Sequence, residues 1–186
     1  MSDRKVVLKM VVSLDGFATS LDGTHEWMFE FFGDDSGAWN RRALDDAGIH
    51  AMGRCSYEIM GPHWAASDGP IATAMNEKPK AVFSRTLKKA DWGPVEIFSS
   101  GDLAAAIADL KARDDEGTIL AHGGPGFARS LTRAGLVDEY QLMTVPIAIG
   151  AGRSPFAGLE EHLKLDVVEE QRFQSGALAQ ILVPKR

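Results

Sequence analysis

Residues 6–14 read VVLKMVVSL, an almost continuous apolar and β-branched run that Asp15-Gly16 brings to a stop. A strand lying on a one-sided sheet alternates apolar and polar residues, whereas a run of this kind is expected of a central strand covered on both faces. Covering both faces takes helices on each side of the sheet, so this one stretch directs the chain toward a layered α/β architecture.

The following segments continue that pattern. WNRRALDDAG, within residues 33–48, places Trp39, Ala43 and Ala47 at four-residue spacing on one helical face. Short strands are predicted at 49–52, 80–83 and 95–98, with Ser100 as N-cap of a helix DLAAAIADLKAR whose stripe is Leu103, Ile107 and Leu110. A strand at 118–121 and a helix beginning near Phe127 follow. After Gly135 the alternation gives way to strands alone: one over 139–147 carrying Pro146, then a hairpin of 163–173 and 177–183 around Gln174-Ser175-Gly176. The fold expected is therefore a three-layer α/β domain, a mixed, mostly parallel central sheet with flanking helices and a C-terminal antiparallel hairpin. With 186 residues, 45% of them hydrophobic, and no repeat or linker, residues 1–186 read as a single domain.

Composition narrows the function classes. The chain has 26 acidic and 20 basic residues, net −6, with no basic block, which argues against general binding of nucleic acid or acidic membrane. The single cysteine, Cys55, excludes an internal disulfide, and Met1-Ser2-Asp3-Arg4-Lys5 leads into an apolar run too short to span a membrane and without a cleavage region. A cytoplasmic protein is expected. His25, His50, His63, His122 and His162 are scattered and read as structural or surface residues, with no metal site.

Three strand ends share a chemistry: Gly53-Arg54-Cys55-Ser56, Ser84-Arg85-Thr86 and Gly123-Gly124-Pro125-Gly126. On parallel strands these corners lie along one sheet edge, where open α/β sheets bind ligands. Guanidinium groups, hydroxyls and unobstructed glycine N–H groups are what a phosphate requires, and an acidic protein has to concentrate its few cations to hold one. Taken singly, the glycine corner is equally a tight turn that lets a helix pack on the sheet.

The motifs SLDG (13–16), MGRCSYE (52–58), FSRT (83–86), HGGPGFARSL (122–131), GLVDEYQL (135–142) and GAGRSPF (150–156), in this order, resemble the dihydrofolate reductase-like superfamily. Within it they resemble the reductase family that includes the C-terminal domain of the bacterial riboflavin-biosynthesis deaminase-reductase. The resemblance implies an NADPH-dependent reductase of a pteridine-like, pyrimidine-like or related heterocyclic substrate, and a homodimer. It places Gly53, Arg54 and Ser56 at the cofactor pyrophosphate, Ser84, Arg85 and Thr86 at the adenosine 2′-phosphate, and Gly123, Gly124, Pro125 and Gly126 under the pyrophosphate and nicotinamide ribose. It also implies a cis Gly123–Gly124 peptide. The best-defined activity it suggests is reduction of 5-amino-6-(5-phosphoribosylamino)uracil; dihydrofolate reduction, or nucleotide binding without turnover, are the alternatives.

A hydride reductase also needs a proton source. The resemblance directs attention to carboxylates following the first strand, so the candidates are Asp15, Glu26, Glu30, Asp34 and Asp35. Asp15, Phe17 and Trp27 are candidate substrate contacts. Phe17 stands where the riboflavin-pathway reductases usually carry a basic residue, and an apolar side chain cannot pair a ribityl phosphate. The cluster WMFEFF at 27–32 reads as a wall for a flat ring, as core, or as a dimer contact, with Trp64 a candidate extension of the wall.

Overall fold

The computed structural model describes residues 4–185; the Met1–Asp3 lead into the first strand lies outside the described residues. The strands are β1 (Val6–Ser13), β2 (Ala47–Gly53), β3 (Lys80–Phe83), β4 (Val95–Phe98), β5 (Thr118–His122), β6 (Glu139–Val145), β7 (Leu165–Arg172) and β8 (Leu178–Pro184). They form one sheet in the order β4-β3-β2-β5-β1-β6-β8-β7. Neighbours from β4 to β6 are parallel, while β8 runs antiparallel to both β6 and β7. The helices are α1 (Asp34–Asp46), α2 (Arg54–Ala65), α3 (Pro70–Glu77), α4 (Leu103–Ala112) and α5 (Pro125–Arg133), with a 3-10 helix at Glu26–Phe31.

The apolar β1 run has the two-sided burial its sequence demands. Val6, Leu8, Met10 and Val12 pack in one cluster with Ile107 and Leu110 of α4 and Ala128 and Leu131 of α5. Val7 faces the other way, into a cluster with Leu44 of α1, Tyr57 of α2 and Met75 of α3. A third cluster, toward β6 and β8, gathers Trp39, Met143, Val145 and Phe173, with Trp27 and Phe31 of the 3-10 helix against it. Among the described residues, no helix is long and apolar enough to cross a membrane.

Several local expectations change. The Trp39 and Ala43 stripe is buried as read, but α1 ends at Asp46 and Ala47 already belongs to β2, so helix passes to strand without a loop. The cap of α4 is Asp102, whose Oδ1 accepts from Ala105 N at 2.9 Å; Ser100 Oγ instead accepts from Asp102 N. β6 stops at Val145, one residue before Pro146, which has no N–H for the ladder. The helices α2 and α3 were not legible, since α2 contains Gly61 and Pro62 and α3 has only eight residues.

Because Leu110 is fully buried where α4 meets the sheet, Leu110→Ala is expected to lower the urea-unfolding free energy by about 2–5 kcal/mol. Ile59→Gln on the exposed face of α2 is expected to change it by no more than about 0.5 kcal/mol.

Candidate functional site

The topology creates a crevice between two neighbouring strands. From β2 the chain enters α2 and moves outward to β3; from β5 it enters α5, on the opposite face, and moves the other way to β6. The N-termini of α2 and α5 therefore open side by side at the C-terminal edge of the sheet, a topological switch point. Neither helix has a side-chain cap. The first N–H groups of each have no intrahelical acceptor, so both helix ends offer donors and positive dipole at one place.

Glycine makes this approach possible. A Cβ on Gly124 would lie 2.6 Å from Ser56 Oγ, and one on Gly53 would lie 3.3 Å from Phe127 Cβ. On Gly123 it would run into the Met10 side chain, whereas on Gly126 it would meet open space. Two predicted corners, GRCS and GGPG, are thus brought into direct contact. The Gly123–Gly124 peptide is not cis: the described residues contain no cis peptide bond, which corrects the expectation. Gly124 has φ −86° and ψ 136°, an extended conformation that leads directly into Pro125 at the start of α5, so the corner closes with all bonds trans.

The third corner follows β3, next to β2. Ser84 Oγ accepts from Thr86 N and Leu87 N, at 3.2 and 2.9 Å, and so shapes the turn. Arg85 and Thr86 are exposed, and the Arg85 stem passes 3.4 Å from the position of a Cβ on Gly101, which follows β4. Arg54 differs: its guanidinium donates to both carboxylate oxygens of Glu58 on its own helix, at 3.1 and 3.0 Å. Between the corners lies a group the sequence reading missed. Phe83 stacks on Phe98, centroids 5.2 Å apart, and meets Phe127 at 4.9 Å. These half-buried rings end β3, end β4 and open α5.

The carboxylate candidates are dispersed. Asp15 is held by Ser13 Oγ at 2.6 Å and by the N–H groups of Gly150 and Ile149. The Ser13 hydroxyl, followed by the Gly150 and Ile149 amides, lowers its carboxyl from the ordinary value, so it is a latch between the loops after β1 and β6. Glu26, Glu30 and Asp34 are exposed. Asp35 accepts from Gln174 N at 2.9 Å and ties α1 to the hairpin turn. Phe17 lies under the β6–β7 loop, where a Cβ on Gly152 would meet its ring at 2.9 Å. Trp27 is partly buried in the third cluster and its Nε1 is buried without a partner. Trp64 packs in the second cluster and does not extend the Trp27 wall.

A different set of titratable groups lies beneath the crevice. Lys9 of β1 is the register partner of His122 at the end of β5. Its Nζ lies 3.1 Å from the Trp39 ring centroid and is buried without a hydrogen bond. Burial, reinforced by Arg42, lowers its pKa well below that of an ordinary lysine. His122 Nε2 lies 2.9 Å from His50 Nδ1, and His50 Nε2 donates to Ala74 O at 3.0 Å. Burial lowers the His50 pKa to about 4 and lowers that of His122 as well. The available sequence signal was a lysine inside a strand that has no wet face.

The histidine pair gives stability a definite pH dependence. Unfolded His50 binds a proton below about 6.5, the folded residue only near 4, so its contribution is complete above 6.5 and is lost as the pH falls toward 4. Urea unfolding should show a loss on the order of 3 kcal/mol over this window, and His50→Asn should flatten it. Separately, Gly123→Ala should destabilise by about 1–3 kcal/mol, with Met10→Ala recovering part of the loss in a double-mutant cycle.

The fold agrees with comparisons to known proteins. The uncharacterized protein YyaP of Bacillus subtilis is 26% identical over 183 residues, covering 96% of this chain and 94% of that protein. Among solved structures, the diaminohydroxyphosphoribosylaminopyrimidine deaminase/5-amino-6-(5-phosphoribosylamino)uracil reductase of Thermotoga maritima superposes with a TM-score of 0.73 at 16% identity. The match covers 98% of this chain and 57% of that one. Enterococcus faecalis dihydrofolate reductase, complexed with NADP(H), superposes with a TM-score of 0.65 at 11% identity, covering 98% and 97%. These structural likenesses establish a dihydrofolate reductase-like fold. The profile of the RibD C-terminal domain matches residues 4–179, and the chain belongs to that family.

Proposed function

We propose that the protein is an NADPH-dependent reductase of a small heterocyclic substrate, resembling the 5-amino-6-(5-phosphoribosylamino)uracil reductases. The observation that carries this reading is the pair of uncapped helix N-termini meeting at the β2–β5 switch point, with the face at Gly126 open. This arrangement fits a pyrophosphate held by the backbone donors of Ser56 and Gly126. Exposed Arg85 supplies a cation for a 2′-phosphate, with Ser84 and Thr86 beside it. The Phe83, Phe98 and Phe127 rings offer an apolar surface for the adenine. Arg54, already paired with Glu58, has a secondary part.

When bound, NADPH supplies the hydride. The chain has to place the acceptor and manage one proton. Lys9 fits the second task better than the carboxylates after β1, because burial weakens its hold on a proton and no other group occupies its Nζ. Asp15 keeps the loops after β1 and β6 in register, and Phe17 and Trp27 contribute apolar surface on that side. We read the exposed β7 edge, with Val167 and Val168 each more than half exposed, as the contact of a homodimer in the cytoplasm.

Fluorescence titration should give tighter binding of NADPH than of NADH. Arg85→Ala should cost NADPH roughly 10- to 100-fold in affinity, the weight of one charge-assisted contact, and change NADH little; equal losses contradict the 2′-phosphate role. Stopped-flow oxidation with dihydrofolate and with the uracil precursor tests turnover. Lys9→Met should abolish oxidation of the productive substrate while leaving NADPH affinity within about threefold, and light scattering should return the mass of a dimer.

A further inference from the structure

The His50 and His122 rings are joined at 2.9 Å, and His50 is bonded at both of its ring nitrogens. Ala74 O can only accept, so His50 Nε2 carries a proton. No carboxylate hydrogen-bonds either ring among the described residues. The charged groups that act on them are Lys9 on β1, Lys80 on β3 and Lys78 just before it, all of them bases that carry positive charge when protonated, while Arg42 on α1 acts on Lys9. A further positive charge on either ring would be uncompensated, so His50 stays neutral and its Nδ1 is a lone pair. That lone pair lies 2.9 Å from His122 Nε2, which must then be the donor. One backbone carbonyl thereby determines the proton positions on two rings.

We propose that His50 is a positioning residue that fixes His122 as its Nε2–H tautomer, leaving His122 Nδ1 unprotonated on the strand next to Lys9, at the root of the glycine corner. The inference rests on the reductase reading for its purpose. Lys9 and His122 are register partners on adjacent parallel strands, so their side chains leave the sheet on the same face. Lys9 Nζ has no hydrogen-bond partner and its charge acts on His122; protonating Nδ1 as well would set a second cation next to it, whereas a bare Nδ1 keeps the ring neutral and leaves the Nζ protons free for the substrate. His50 contributes only by holding the ring; it touches neither the cofactor corner nor the reacting atoms.

Long-range ¹H–¹⁵N spectra of the histidine rings in the ligand-free protein test this directly. Both rings should show protonated Nε2 and bare Nδ1 from pH 6 to 8. A protonated Nδ1 on His122, or averaging between its two tautomers, overturns the proposal whatever the protein's activity. His50→Asn places an amide oxygen where Nδ1 stood and should keep the His122 spectrum and a kcat within about threefold of wild type. His50→Leu should mix the His122 tautomers, lower kcat at least about tenfold and displace its pH profile, while leaving KM for NADPH unchanged. A folded His50→Leu protein with an unaltered His122 spectrum overturns the assignment. If this variant fails to fold, the wild-type and His50→Asn spectra still decide. Failure to bind NADPH would instead remove the reductase reading, and the tautomer result would stand or fall by itself.

Discussion

The site depends on a close approach that side chains would forbid. Helices α2 and α5 leave neighbouring strands toward opposite faces, and their first turns can share one crevice only because Gly53 admits Phe127 and Gly124 admits Ser56. A methyl group at Gly124 would displace the Ser56 hydroxyl from the point where the two helix ends meet. The uncapped N–H groups, the aromatic rings between the corners and the buried basic groups below are all arranged around that contact. The donors at the meeting point are backbone N–H groups, which suit recognition of an anion by dipoles where cations are few.

The sheet was legible because burial on both faces leaves a strong pattern. VVLKMVVS and the short runs at 80–83, 95–98 and 118–122 could hardly be anything but strands between helix layers, and the turn residues at 174–176 marked the hairpin. Helices α2 and α3 were not, since Gly61, Pro62 and the shortness of α3 erase a 3.6-residue rhythm. The three corners were visible as compositions, but Arg54's engagement with Glu58 and the trans Gly123–Gly124 bond depend on local geometry that composition does not encode. Lys9, His50 and His122 were hidden for a different reason. They are far apart in sequence and meet only because β1, β5 and β2 are adjacent, an order that breaks with the order of the chain.

The two sides of the crevice differ in kind. Toward β2 and β3 it offers glycine N–H groups, Arg85 and stacked phenylalanines. Toward β1 and β6 the loops carry Leu14, Phe17 and Trp27, and the carboxylates there are exposed or engaged in latching loops together. The groups suited to an anion are thus confined to one half, and Lys9 lies buried beneath the other.

At the opposite edge of the sheet, buried Arg4 donates to the carbonyls of Gly117 and Leu110 and pairs with Asp115. There, Gly48 packs so closely on the Glu116 carbonyl that no Cβ could fit. This foundation shares no residue with the crevice. The loops at the C-terminal edge of the sheet can therefore drift in sequence and leave the framework that folds the chain untouched; such a division of labour lets one scaffold carry many different sites.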